Sequence, residues 1–363
     1  MEETFIRNLE QKFDIEIIKS EEPIDFENTY SIDSDGRIVA LRLMEVPIKN
    51  LSILSAIASD LVELSLFECD IVDIKGIGEF PQLVSLDLSV NSISSVKGIE
   101  NLKKLKSLKL ASTDISSDGQ FEEFYGLKNL NYLDLDYSRI TSLKGLHRLD
   151  KLETLIVGST GLSHFEDIEE MPSLNKLDLN CCQNIDFSRI SALERIPKLT
   201  SLNLSSTEML QLRGLERIMT LKELDISACR LKKIEGLDKL VEMEVLDISD
   251  NCISKMEGLE NLANLKSLNL RYHLGYSDTA IKTIEGIDHL KKLEVLNLSG
   301  NEIEHIEKVP ITNLKQLNLS SNKIKEIDYE WLKSLPPLCE INLKRNPITL
   351  EVARIPLNVL IKV

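Results

Sequence analysis

Acid–base or metal chemistry needs two or three histidines, cysteines or carboxylates brought to one point. In this chain His147, His164, His273, His289 and His305 fall in five different segments at unrelated positions, and no pair has metal-ligand spacing. Of the six cysteines only Cys181 and Cys182 are adjacent and no CxxC occurs, which argues against a zinc site or a disulfide framework and for reduced thiols. There is no GxxxxGK[ST] phosphate loop, no GxSxG elbow and no HExxH helix. Four Asn-x-Ser sequons, at Asn50, Asn203, Asn297 and Asn318, are the one apparent modification signal, but three of them belong to a recurring LNLS and read as strand pattern. No catalytic residue, metal site or cofactor is expected, and the chain is expected not to be an enzyme.

Recognition chemistry is better represented. Tyr132, Asp134, Asp136 and Tyr137 lie within six residues, with Ile156 at the matching place in the next segment. A second group joins Asp247, Arg271 and Tyr272 to Tyr276, which sits in the Gly- and Ser-containing stretch HLGYSDTAI. Tyr and Arg are over-represented where protein surfaces bind most strongly, and carboxylates steer basic partners. Met44 and Phe67 make a weaker third group near the N-terminus.

These side chains matter only if an element holds them outward, and the element is a repeat. LVELSLFECDIVDIKGIGEFPQ from Leu61 is followed in the same pattern by LVSLDLSVNSISSVKGIENLKK from Leu83, a period of 22. Further units start at Ile38, Leu105, Leu130, Leu152, Leu174, Leu199, Leu221, Met243, Leu265, Leu293, Leu314 and Leu338, fourteen in all. Within a unit Leu64 and Leu66 alternate with Ser65 and Phe67 at the strand period of two, so the leucines face inward and Glu63, Ser65, Phe67 and Glu68 outward. Ile71, Ile74, Ile77 and Phe80 then fold back to close the core. One such coil cannot close itself, and stacking buries its two ends.

Two further positions have structural readings. The ninth holds Asn91, Asn251, Asn301, Asn322 and Asn346, and elsewhere Cys69, Thr113, Ser138, Thr160, Cys182, Thr207 and Cys229. All can donate a hydrogen bond to carbonyls of the buried inner turn. The sixteenth is often glycine, as in Gly76, Gly98, Gly145, Gly214, Gly236, Gly258 and, after an insertion, Gly286, which implies a tight outer turn. The units from Leu105 and Leu174 run 25 residues and that from Leu265 runs 28, the last forming an exposed loop between His273 and Ile281. Phe5, Leu9 and Phe13 fall four apart, as on an amphipathic helix, so residues 1–37 are read as a cap over the first coil. Residues 351–363 are too apolar for a free tail and read as a second cap or a continuation.

Composition agrees with a repeated aliphatic core: 61 Leu and 39 Ile stand against 5% aromatics. Forty-three basic and fifty-nine acidic residues leave a charge of −16, which disfavours nucleic acid and membrane surfaces. Twelve Asp or Glu against six Lys or Arg occupy the outward strand positions, among them Asp87, Asp134, Asp178, Asp225 and Asp247 in the fifth column. A protein partner with a basic contact surface is therefore expected there. No run approaches a spanning helix and the N-terminus is charged where a signal peptide would be greasy, so a cytoplasmic location is expected.

The unit LxxLxLxx followed by a ladder residue, x-I-x-x-I and x-G-L-x-x-L resembles the leucine-rich repeat family over residues 38–350. Its 22-residue form resembles the subclass of the protein phosphatase one regulatory subunit and of listerial internalins. The resemblance implies an α/β solenoid, or horseshoe, with parallel strands on the concave face and short helices, 3-10 turns or loops on the convex face. It also implies a noncatalytic protein-binding scaffold, with a Ser/Thr phosphatase as the most specific partner. The alternatives are a secreted adhesion protein of internalin type, or the repeat module of a larger signalling protein such as a Roco-type GTPase. Internalin-type repeats usually carry Pro where this chain has the recurring Gly. On strands five and eleven the two recognition groups would lie roughly 29 Å apart, within reach of one folded partner.

Overall fold

The computed structural model describes every residue except 1, 23, 25, 118–120, 167, 273–278, 307–310, 352, 353 and 363. The chain forms two compact units, residues 1–182 with 195–198, and residues 183–194 with 199–363.

The first unit opens with α1 (Glu2–Phe13), which buries Ile6 and Leu9 and half-buries Phe5 and Phe13. Glu10 accepts a hydrogen bond from the Ile17 amide at 2.9 Å and so fixes the exit of the helix. Two strands follow that apolar spacing does not reveal. β1 (Ile18–Lys19) runs parallel to β2 (Thr29–Ile32), and β2 runs antiparallel to β3 (Ile38–Met44). The intervening turn is closed by Asp33, whose Oδ1 accepts from the amides of Asp35 at 2.9 Å and Arg37 at 3.0 Å. From β3 onward every neighbour is parallel: β4 (Glu63–Phe67), β5 (Ser85–Asp87), β6 (Ser107–Lys109), β7 (Tyr132–Asp134), β8 (Thr154–Ile156) and β9 (Lys176–Asp178). The register aligns Leu41, Leu64, Leu86, Leu108, Leu133, Leu155 and Leu177 in one buried row. In the 25-residue unit from Leu105, α2 (Phe121–Phe124) takes up the extra length, with the Phe121 and Phe124 rings 6.0 Å apart inside the core.

The second unit continues the same pattern through β10 (Ser201–Asn203), β11 (Glu223–Asp225), β12 (Val245–Asp247), β13 (Ser267–Asn269), β14 (Val295–Asn297), β15 (Gln316–Asn318), β16 (Cys339–Asn342) and β17 (Val359–Lys362), all parallel. Ahead of β16, α3 (Tyr329–Ser334) is capped by Asp328 and buries Trp331 and Leu332. The register counted from Leu338 holds, with Ile341 beside Leu317, but Leu338 itself, expected inward, is 71% exposed. It follows Pro336 and Pro337 in a left-handed conformation (φ 64°), and Cys339 takes the buried place. β17 belongs to the apolar segment after Asn346 and pairs along the full length of β16.

The outer turns follow the glycine column. Gly76, Gly98 and Gly145 have φ of 85°, 101° and 94°, and each precedes a single 3-10 turn. At Gly258 the need is steric as well, because a Cβ there would lie 1.8 Å from the Ile234 carbonyl oxygen of the preceding coil.

The ninth position behaves as its chemistry dictates. Asn251 donates through Nδ2 to the carbonyls of Ile226 (2.9 Å), Ile248 (2.9 Å) and Ser249 (3.2 Å), and its Oδ1 accepts from the amides of Cys229 (3.0 Å) and Leu231 (2.9 Å). Asn91 repeats the arrangement in the first unit. Thr113 and Thr207 make the shorter reach, each to a carbonyl of its own coil at 2.7 Å. The thiols of Cys69, Cys182 and Cys229 donate to carbonyls of the preceding coil at 3.2–3.4 Å. Burial pushes the Cys69 thiol up to about 11, well away from a reactive thiolate.

The eighth position carries a feature that no residue type announces. Glu45, Glu68, Val90, Ser112, Tyr137, Ser159, Cys181, Ser206, Ala228, Asp250, Gly300, Ser321 and Arg345 all have positive φ. A left-handed residue other than glycine costs roughly 1–2 kcal/mol. Most of their amides bond a carbonyl of the next coil, as in Val90 to Ala111 and Asp250 to Arg271, both at 2.8 Å. Tyr272 is the exception among the fourteen eighth positions and keeps negative φ.

Candidate functional site

Most strands are three residues long, and their first and last residues, the third and fifth positions of the repeat, face away from the buried leucine between them. In the first unit the fifth positions align as Arg42, Ser65, Asp87, Lys109, Asp134, Ile156 and Asp178, each beside the next. Ile156 thus sits between two aspartates, an apolar break in a charged row.

The aspartates and asparagines of this column are not free surface groups. Asp87, Asp134 and Asp178 each accept through Oδ1 from the amide two residues on, at 3.0 Å. In the second unit Asn203, Asp225, Asp247, Asn269, Asn297, Asn318 and Asn342 do the same at 2.9–3.2 Å. The bond satisfies an amide where the chain leaves the strand, a reach at which Asp and Asn place the strongest acceptors. Asp or Asn fills ten of the fourteen places in this column.

The first recognition group is brought together. Tyr132, Asp134, Asp136 and Ile156 are half-buried and Tyr137 is 64% exposed. Asp136 and Tyr137 lie past the end of β7, so Tyr137, in its left-handed conformation, points off the strand face onto the rim. There it borders an open hollow of about 460 Å³ with Asp70, Ser112 and Asp114. Burial, joined by Asp134 and the flanking Asp87 and Asp178, pushes the Tyr132 hydroxyl up to about 12. Burial also raises Asp134, with Asp87 and Asp178 adding to it against the Asp136 amide and Lys109. Asp136 is raised first by burial, then by Asp134 and Asp178. Its Oδ1 is buried with no hydrogen-bond partner among the described residues.

The second group does not survive as drawn. Tyr272, expected outward, is 8% exposed, and its hydroxyl bonds Thr279 Oγ1 at 2.9 Å. It lacks the left-handed conformation of its column, and its side chain is buried. Tyr276 lies outside the described residues, as do most of the residues expected to loop out. Arg271 is exposed. Both oxygens of Asp247 are used within the sheet, by the Ser249 amide at 2.9 Å and Asn269 Nδ2 at 2.7 Å. Met44 and Phe67, the third group, are half-buried side by side, and the Met44 amide is held by Asn28 Oδ1 at 2.7 Å.

Family models of the leucine-rich repeat match residues 312–350, residues 220–261 as two copies, and residues 289–304. No curated protein sequence matches the chain significantly. Among solved structures, an internalin (inlF) of Listeria monocytogenes superposes with a TM-score of 0.66 at 22% identity, over 85% of this chain and 88% of that one. The functional domain of InlJ from the same organism, which includes a cysteine ladder, gives 0.58 at 20% over 83% and 67%. The Toll–Spätzle complex of Drosophila gives 0.54 at 18% over 86% and 49%. At these identities the likeness is one of fold.

Proposed function

We propose that this chain, a leucine-rich repeat protein, is a noncatalytic scaffold that holds a basic protein partner against the strand face around Tyr132. The observation that supports this reading most directly is Asp136, a carboxylate with a buried oxygen that nothing in the described chain satisfies, set among Asp134, Asp178 and two tyrosines. A lysine or arginine brought by the partner would offset the mutual repulsion of Asp134, Asp136 and Asp178. Tyr132 and Ile156 supply flat apolar contact beside it, and Tyr137 supplies the rim. Fold-level likeness to Toll, whose structure is that of a complex with Spätzle, is compatible with a protein ligand.

The 22-residue repeat type favours a Ser/Thr phosphatase catalytic subunit as the partner, with this chain as its cytoplasmic regulatory subunit. The adhesion reading keeps the internalin fold as its support and places the same face outside the cell. Affinity capture from the native cell, with the wild-type chain beside the Tyr132→Ala/Asp136→Asn variant, tests the scaffold reading. A protein that is retained by wild type and lost from the folded variant supports it, and phosphatase activity in that fraction would name its class. An identical set of captured proteins for both chains would rule this face out.

A further inference from the structure

At the N-terminal end of the first unit, β1 and β2 rise beside the outward face of β3, β4 and β5 and leave a cavity of about 470 Å³. That volume falls within the range of small-molecule sites. Its charged lining is mixed: Arg42 and Lys109 against Glu21, Glu22, Glu63 and Asp87. Arg42 Nε is buried and has no hydrogen-bond partner among the described residues. Lys109 and Asp87 make only a loose pair at 3.9 Å, and no ion pair within 4.0 Å reaches Arg42, Glu21, Glu22 or Glu63 among the described residues. Charges of both signs are thus held in one cavity without neutralising each other. Arg42 lines the cavity as a guanidinium committed to no described carboxylate, and such a group is a ready fork for a ligand carboxylate.

We infer that this cavity binds a small zwitterion with a basic side chain, an amino acid of the lysine type, free or at the C-terminus of a peptide. The register sets the spacing. Arg42, Ser65 and Asp87 stand side by side on β3, β4 and β5, so Arg42 and Asp87 are two strand spacings apart, roughly 10 Å. Glu63 lies one strand from Arg42, and Glu21 and Glu22 add two more carboxylates to the lining. A carboxylate on Arg42 therefore places a long cationic side chain, not a short one, among the acids. The excess of four carboxylates over two cations in the lining also selects a ligand with more positive than negative charge. The site is separate from the Tyr132 group and does not depend on the proposed scaffold role.

Calorimetric titration of the whole chain with L-lysine, L-alanine, L-lysinamide and Gly-Gly-Lys tests this. L-lysine should bind saturably and L-alanine more weakly, and L-lysinamide, with its carboxylate blocked, at least about tenfold more weakly than L-lysine, the factor for one charged hydrogen bond. Arg42→Gln should lose L-lysine by a similar factor and no longer distinguish it from the amide, while Glu63→Gln should weaken L-lysine but not L-alanine. Tighter binding of Gly-Gly-Lys than of L-lysine would assign the site to a peptide end, and the reverse to the free amino acid; both support the inference. No saturable heat with any of the four, equal affinity for lysine and lysinamide, or wild-type binding by Arg42→Gln would overturn it. Should Arg42→Gln fail to fold, the lysine and lysinamide comparison on the wild-type chain decides alone.

Discussion

A Cβ built on Gly300 would lie 1.9 Å from the carbonyl oxygen of Tyr272. The two residues hold the same place in successive coils, and the Tyr272 amide bonds the Ser299 carbonyl at 2.9 Å. Where Tyr272 abandons the left-handed conformation of its column, its carbonyl occupies space that every other coil leaves for a side chain. Glycine in the next coil is the accommodation. Gly300→Ala should therefore destabilise by more than the roughly 1 kcal/mol of a positive-φ glycine replacement alone, about 3 kcal/mol, while the smaller Ser321→Ala change in the same column should stay within about 0.5 kcal/mol. Denaturant titration of the two variants compares them; similar small shifts would mean that the coils separate easily at this point.

Tyr272→Ala should behave as a core truncation and cost about 3–5 kcal/mol of folding stability. Tyr137→Ala, at a 64% exposed rim position, should leave the unfolding midpoint within about 0.5 kcal/mol of wild type. A midpoint for Tyr272→Ala equal to wild type would restore that tyrosine to the surface.

Asn251→Ala removes five hydrogen-bond contacts at once and strands buried amides and carbonyls, so a loss of about 2–4 kcal/mol is expected. Asp225→Ala removes the acceptor of the Ser227 amide and should cost about 1 kcal/mol, whereas Asp225→Asn keeps it and should be nearly neutral. Equal effects of Ala and Asn at 225 would show that the column is held by charge and not by the amide bond.

Burial and like charges raise Asp134 and Asp136 above their unfolded values, so the folded chain binds protons there more readily than the unfolded chain. The penalty is complete above the raised values and disappears as the pH falls through them toward the ordinary carboxylate range. Asp136→Asn should raise the unfolding midpoint at pH 7 and lose that advantage by about pH 3.5, below the ordinary aspartate value. A basic partner should reverse the shift and release protons on binding at acidic pH, where the raised carboxylates are partly protonated, visible as a dependence of binding heat on the buffer. A midpoint gain independent of pH would exclude the electrostatic cause.

Cys69, Cys182, Cys229 and Cys339 are buried, whereas Cys181 and Cys252 are intermediate. A thiol reagent at pH 8 should label the last two in the native chain and all six only after unfolding, read by mass spectrometry. Rapid native labelling of Cys69 would contradict its place in the ladder.

The repeat was legible because its causes are local: a leucine at the fourth position is inward whatever surrounds it, and period 22 sets the stack. The aspartate column was visible but its meaning was not, because an Asp that caps a backbone amide and an Asp that awaits a ligand look alike until the next amide is placed. Tyr272 was misplaced for a different reason. Its orientation goes with the backbone conformation of the eighth position, which is left-handed in the other thirteen coils and not in this one. β1 and β2, each too short to show a period of two, were equally invisible, and with them the wall of the Arg42 cavity.

The ladder is chemically uneven, and the unevenness has a mechanical side. Asn91, Asn251, Asn301, Asn322 and Asn346 each stitch their coil to the one before it, through Nδ2 to its carbonyl and through Oδ1 to its amide. Thr113, Ser138 and Thr160 instead bond a carbonyl of their own coil. In a stack whose strength is a sum of neighbour terms, the threonine and serine coils are the weaker links of the chain. Under a stretching force the run from Leu105 to Thr160 should part before the asparagine-stitched coils from Leu293 to Asn346, so that the order of rupture is written into a single column of side chains.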